Sequence, residues 1–274
     1  ECTTKVEFEV VIYLECFHVD KVYGKIGNGV TEPLDACLDS GDRVIVKPFN
    51  NIQGNLVLVN EYICYRLCTK LDIPIPKAGI ALISERTECL CEPPVYSAEN
   101  YGYCYFSKRI DKVTIINRGI IPRITNKADF YKIILFDHLI YNKDRNRGNL
   151  LVTSVKNPKL YAIDHTHVFK NQSIWDKNCL QRGMDSDDFN DLDIIKSNEK
   201  IYNYFWEYLN KDPAILLRLA DEYKNKLNYT DLEMFINELP EQWHIPDEDA
   251  LALKEYLIYR LNHMEDMCKL IIGR

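Results

Sequence analysis

The sequence predicts an α+β fold in two lobes: a small sheet-rich N-terminal lobe with one key helix, and a mainly helical C-terminal lobe. Three observations carry this. Short runs rich in Val, Ile, Tyr and Phe gather before residue 108, among them RVIVKP (43–48), AGIALIS (78–84) and YGYCYFSK (101–108). One long amphipathic stretch, LVLVNEYICYRLCTKL (56–71), interrupts them and stops ahead of Pro74 and Pro76. From Lys127 onward the apolar period is helical apart from one polar segment. We place the lobes at 1–107 and 108–274, and 274 residues suffice for a substantial core.

In chain order, KVEFEVVIYLEC (5–16) reads as a strand. YGKIGNGV (23–30) brings Gly24, Gly27 and Gly29, which would let a loop approach phosphates closely or simply make a hairpin turn. RVIVKP is a short strand ending in Lys47, and Glu61 falls early in the helix that follows. The passage near Phe106–Ile110 carries the chain from sheet to helices. FYKIILFDHLIYN (130–142) reads as a helix, and NLLV (149–152) and LYAID (160–164) as short buried runs. MDSDDFNDLD (184–193) reads as a solvated loop with Asp185, Asp187 and Asp188 outermost. DPAILLRLADEYKNKL (212–227) opens with Asp212 as N-cap and Pro213 in the first turn, and Ile215, Leu216, Leu219, Ala220 and Tyr223 trace its apolar face. Thr230 with Glu233 suggests a capping box for TDLEMFINEL (230–239). IPDEDALALKEYLIYRLNHMEDMCKLI (245–271) reads as one long final helix, with Asp247, Glu248 and Asp249 at its positive end.

The chemistry concentrates in FDHLIYNKDRNRGNLLV (136–152) and YAIDHTHVF (161–169). Asp144 is followed five positions later by Asn149, and Asp164 closes the next apolar run. An Asp and an Asn in a polar loop can be turn chemistry alone, since both side chains bond nearby backbone. Their setting of helix, polar loop, strand, turn, strand and acid suits phosphoryl transfer better. That reaction needs one carboxylate to orient a hydroxyl, and an amide with a second carboxylate to hold Mg²⁺. The Asp-x-x-x-x-Asn interval matches the catalytic loop of protein kinases, so the fold is read as bilobal and protein-kinase-like. Lys47 and Glu61 could be ordinary surface charges. A strand Lys paired with a helix Glu is also how kinases fix a nucleotide's phosphates.

Composition narrows the classes. The net charge of −7 argues against a general nucleic-acid binder, although Lys108, Arg109, Arg118, Arg123, Arg145 and Arg147 lie near the candidate chemistry in sequence. No apolar run approaches the length of a membrane span. Lys5, Glu7, Glu9 and Glu15 interrupt any secretory leader, and the sequence begins at Glu1. The ten cysteines form no paired CxxC zinc pattern, although Cys64 and Cys68 would share a helix face. Buried, reduced thiols in a cytoplasmic protein are expected.

The succession VIVKP, LVLVNEYICYRLCTKLDIPIP, FDHLIYNKDRNRGNLLV and AIDHTHVF resembles the HipA-like kinases, in particular a short branch without the extra N-terminal subdomain of HipA. More distantly it is similar to the type II phosphatidylinositol 4-kinases. The likeness runs from about Gly29 to Phe169. It implies that Lys47 binds ATP phosphates, Glu61 orients Lys47, Asp144 is catalytic, and Asn149 and Asp164 hold Mg²⁺. The family implies transfer to Ser or Thr of a protein, self-modification near the phosphate loop (where Thr31 and Ser40 stand), and a separate regulatory or antitoxin-like partner. Asp164 precedes His165 and Thr166 rather than Phe-Gly, and the glycine order is G-x-x-G-x-G. A lipid or small-molecule kinase, nucleotide transfer to a protein, and a nucleotide-binding pseudokinase stay open. So does a metal-dependent hydrolase built on Asp164, His165, His167 and His138.

Overall fold

The computed structural model describes residues 17–27 and 30–273. The strand expected over 5–16, and Gly29, lie outside the described residues. The N-terminal part is a six-stranded sheet of β1 (Phe17–Lys25), β2 (Leu34–Leu38), β3 (Arg43–Lys47), β4 (Ala78–Ile83), β5 (Glu88–Cys89) and β6 (Gly102–Lys108), in the order β2-β3-β6-β4-β1-β5. β1 also pairs antiparallel with β2, so the sheet curls round and meets itself. Its interior is Val19, Val22, Leu34, Ala36, Leu38, Val44, Val46, Ala81, Ile83, Cys104 and Phe106. The two-residue period of β3 sorts its side chains: Val44 and Val46 enter that interior, while Ile45 and Lys47 turn to a cleft.

Helix α1 (Leu56–Lys70) packs against β4 and β6. The sequence suggests an amphipathic helix, yet residues 57–64 are all buried. Over that stretch the helix is enclosed on every side, so Asn60 and Glu61 need polar partners inside the protein, while Thr69 and Lys70 in its last turn are exposed.

The C-terminal part is helical, with a small sheet β7-β8-β9 (Val113–Ile115, Leu150–Thr153, Leu160–Ala162). Helix α2 (Phe130–Leu139) is buried throughout except at Lys132. Around it lie α3 (Lys177–Asp185), α4 (Asp193–Trp206), α5 (Pro213–Lys226), α6 (Tyr229–Asn237), α7 (Asp247–Asn262) and α8 (Met264–Ile272). Asp212 caps α5 as expected, accepting from the amide of Ala214 at 2.9 Å.

Three expectations are corrected. The capping box of α6 is Asn228 with Asp231, not Thr230 with Glu233. The final helix is two helices, broken at His263. That ring stacks on Phe189 with centroids 4.0 Å apart, and its Nδ1 donates to the Tyr259 carbonyl at 2.8 Å, satisfying an acceptor at the helix end. Asp188 is not outermost: it is buried in an ion pair with the fully buried Arg260, and Tyr256 donates to it at 2.6 Å.

The helical part also reaches back over the sheet. Past α6, Trp243 Nε1 donates to the carbonyl of Tyr103 on β6 at 2.8 Å, and the Tyr103 amide donates to Gln242 Oε1 at 2.8 Å. Gly102, at φ 150°, leaves room for Gln242, which a Cβ there would meet at 2.3 Å. Tyr62 of α1 donates to Glu238 at 2.9 Å, and Lys70 pairs with Asp231 at 2.7 Å. Among the described residues, no helix is long and apolar enough to cross a membrane.

Candidate active site

Between sheet and helices lies a cleft of about 830 Å³, and Lys47, Glu61, Asp144, Asn149 and Asp164 all line it. They arrive on four separate elements. β3 ends at Lys47, α1 carries Glu61, the turn after α2 carries Asp144 and Asn149, and the segment after β9 carries Asp164.

Lys47 is 8% exposed and ion-paired with Glu61. Its Nζ also donates to Asp164 Oδ1 at 2.9 Å and to Thr166 Oγ1. Burial alone would favour the neutral amine, but Glu61 and Asp164 outweigh it and raise the Lys47 pKa, so the ammonium persists. Burial likewise opposes the Asp164 carboxylate, and Lys47 beside it lowers that pKa below the usual carboxylate range. Asp164 stands at φ 59°, a left-handed conformation that Asp tolerates better than most residues. Its side chain stays 40% exposed, and Oδ2 has no hydrogen-bond partner among the described residues.

The loop from Asn142 to Asn149 is held from within. The Asp144 amide donates to Asn142 Oδ1 at 2.9 Å, Asn149 Nδ2 donates to the Asp144 carbonyl at 2.8 Å, and Asn146 Nδ2 reaches Asp144 Oδ1 at 3.2 Å. The turn chemistry open to an Asp and an Asn is therefore present, and both side chains still reach the cleft. His167 Nδ1 lies 3.9 Å from Asp144 Oδ2.

Beneath the loop is a cluster that sequence reasoning missed. Arg145 is fully buried and paired with Asp137 of α2 at 2.8 Å. Its Nη1 donates to the carbonyls of Asn149 at 3.0 Å and Ile163 at 3.1 Å, and Nη2 lies 3.1 Å from His165 Nε2. One guanidinium thereby joins α2, the Asp144 loop and the stretch before Asp164. Burial and the adjacent Arg145 hold the His165 pKa well below its ordinary value, so the ring accepts from Arg145. Tyr202 donates to Asp137 at 3.1 Å, and Asn198 accepts from the Arg145 amide at 2.9 Å. Asn60, next to Glu61, is a second omission. Its Nδ2 donates to the Thr166 carbonyl at 2.7 Å and its Oδ1 accepts from Trp175 at 2.8 Å, pinning α1 to the segment after Asp164. The Asp-x-Thr spacing and the place of Asn60 inside the apolar run LVLVNEYIC are the signals the sequence offers.

The other candidates separate. Arg145 is not an anion ligand, because its donors are consumed internally. Lys108, Arg109 and Arg118 pair with Asp42, Asp35 and Glu207. Thr31 is buried at the cleft wall and Ser40 is exposed in the β2–β3 turn. Among the described residues no group of three or more His, Cys, Asp and Glu could hold a metal, so Asp164, His165, His167 and His138 are not gathered into such a group. His138 is buried with its pKa lowered to about 3 by burial and Arg260. Cys64, Cys68, Cys104, Cys179 and Cys268 are buried thiols, whereas Cys37, Cys89 and Cys91 are half-buried.

A family model described as HipA-like kinase matches residues 19–269. The fold is similar to the crystal structure of a Helicobacter pylori proinflammatory kinase, CtkA, at TM-score 0.58 and 14% identity over 89% of this chain and 92% of that one. It is also similar to the Golgi casein kinase with Mn/ADP bound, at TM-score 0.51 and 12% identity over 92% and 73% of the two chains. The HipA of a Shewanella oneidensis MR-1 complex with HipB and operator DNA aligns at TM-score 0.45 and 12% identity, over 90% and 65%. No curated protein sequence matches. At these identities the first two likenesses bear on the fold, which is bilobal and kinase-like.

Proposed function

The chain belongs to the HipA-like kinase family, and we propose that it transfers the γ-phosphoryl group of ATP to a Ser or Thr hydroxyl of a protein. The observation that carries this reading is the meeting of Lys47, Glu61, Asp144, Asn149 and Asp164 in one cleft from four separate elements. Residues 1–107 act as the nucleotide-binding lobe and 108–274 as the lobe bearing the catalytic loop. The setting is cytoplasmic, where the described thiols stay reduced.

Lys47, kept charged by Glu61 and Asp164, binds the ATP phosphates. The donor set suits Mg²⁺, which uses one or two carboxylates, substrate phosphates and water rather than a closed protein cage. Asp164, ionised and with Oδ2 unengaged, and Asn149, whose Nδ2 is committed to the loop so that its carbonyl is the group left for a cation, would hold it. When bound, the ion supplies neutralisation of charge on the phosphates. Asp144 orients the acceptor hydroxyl and takes its proton as the new oxygen–phosphorus bond forms and the bond to ADP breaks.

The test is incubation with γ-labelled ATP and Mg²⁺, alone and with cell lysate, beside Asp144→Asn. Label on protein that the variant loses, by about a hundredfold or more, supports the reading. Label in the lipid fraction, or nucleotide binding without any Asp144-dependent transfer, overturns it.

A further inference from the structure

A second groove, of about 680 Å³, adjoins the cleft, and His167 lines both. His167 Nδ1 lies 3.9 Å from Asp144 Oδ2, so the groove begins one side chain away from the proposed catalytic carboxylate. A substrate that presents a hydroxyl to Asp144 can lay its neighbouring residues along this groove.

Its lining has a distinct charge. Lys143, Lys170 and Arg182 line it, and no Asp or Glu does. The chain as a whole has 41 acidic against 34 basic residues, so this is a local reversal. Lys170 sits 4.5 Å over the Tyr141 ring and 3.7 Å from Asp191. Lys143 lies 5.4 Å over the same ring, and Arg182 donates to the Cys179 thiol at 3.0 Å. Lys143 and Arg182 make no ion pair among the described residues, although Asp191 lies within electrostatic reach of Lys143 and Asp176 within reach of Arg182. Ile174, 69% exposed, adds an apolar surface to the same groove.

The backbone there is held away from its easiest conformations. Phe169, Asn171 and Gln172 stand at φ 65°, 72° and 60°. Side-chain-bearing residues adopt such conformations where their surroundings impose them, and these positions gather at binding and catalytic sites. The Phe169 amide donates to the Ile140 carbonyl at 2.7 Å, and Asn60 reaches the Gln172 carbonyl at 3.4 Å. The groove floor is thus fixed to the helix that carries Glu61.

We propose that this groove is the acceptor site and that it selects a peptide whose Ser or Thr is flanked by acidic residues. This rests on the kinase reading for the word acceptor, but the binding preference stands independently of catalysis. Lys143 and Arg182 meet the flanking carboxylates, Lys170 adds to the field, and Ile174 packs against an aliphatic side chain.

The experiment measures fluorescence anisotropy of three labelled peptides on the full chain: one serine flanked by Glu, by Ala or by Lys. The Glu peptide should bind tightest, weakening about two- to fivefold for each of Lys143→Ala and Arg182→Ala, the scale of a partly exposed charge pair. Binding should weaken further as added salt screens the charges. Arg182→Glu should shift the preference toward the Lys peptide. Equal binding of all three, an unchanged preference in Arg182→Glu, or binding to phosphatidylserine vesicles without any preference for the acidic peptide would each overturn the proposal. The same peptides with labelled ATP separate the two readings. Charge-selective binding with no Asp144-dependent transfer to these peptides or to lysate protein sinks the kinase reading and leaves the groove, whereas transfer indifferent to flanking charge does the reverse.

Discussion

The Lys47 cluster and the Arg145 cluster are each built around one buried cation, yet they are finished differently. Around Arg145 both charged side chains are fully buried, and Asp137, two backbone carbonyls and His165 take up the guanidinium donors. Around Lys47 the lysine and Glu61 are buried, but Asp164 remains 40% exposed with one oxygen unclaimed. The first is closed to any further ligand, and its work is to hold the Asp144 loop in place. The second is complete enough to stay charged and open enough to accept something. Burial of an ion pair does not by itself distinguish scaffold from site; unspent hydrogen-bonding capacity on the solvent side does.

The comparison can be broken most decisively at Arg145. Arg145→Ala strands the Asp137 carboxylate in the core and should cost about 3–5 kcal/mol, read as a lower denaturant midpoint. A midpoint equal to wild type would mean that the closed cluster is not what stabilises the loop. Asp164→Asn should act more on the ligand than on the fold: Mg-ATP affinity falls about tenfold or more, on the scale of a lost charge-assisted contact, while stability falls by less than Arg145→Ala costs, because Lys47 keeps Glu61 as a partner. Unaltered affinity would remove Asp164 from the proposed metal site.

Acid sharpens the contrast. Lys47 holds the Asp164 pKa below that of an unfolded chain, about 3.9, so the folded state binds fewer protons there. The stability this confers is present above the unfolded value and lost as pH falls through the folded one. Between about pH 4 and pH 2.5, wild type should therefore lose more of its thermal midpoint than Lys47→Met, in which the cause is gone. Equal losses would show that Lys47 does not set the Asp164 charge. The smallest effect belongs to Trp175→Phe. It deletes the indole donor to Asn60 and should cost about 1 kcal/mol, seen as a small drop in unfolding free energy.

The open cluster was legible in the sequence and the closed one was not, for a physical reason. Lys47 ends an apolar strand, Glu61 sits early in a long helix, and Asp144, Asn149 and Asp164 are spaced by loop geometry, so local pattern marks each of them. Arg145 lies among Lys143, Asn146 and Arg147, where composition says solvent, and only the distant Asp137, Tyr202 and Asn198 draw it inward. Asp188 misleads in the same way: within an acidic run it reads as exposed, and Arg260 on α7 buries it. The break at His263 also depends on a distant residue, Phe189, which holds the ring. Elements set by periodicity and caps, such as β3, α1 and α5, are readable from the chain; partners brought together by folding are not.

The strap formed by Gln242 and Trp243 across β6, with Glu238 and Asp231 gripping α1, has a consequence for motion. It ties the sheet and α1 to the helical part at several points, so swinging the two halves apart would break these hydrogen bonds together rather than one by one. A clamp fastened at its back can widen only at its mouth.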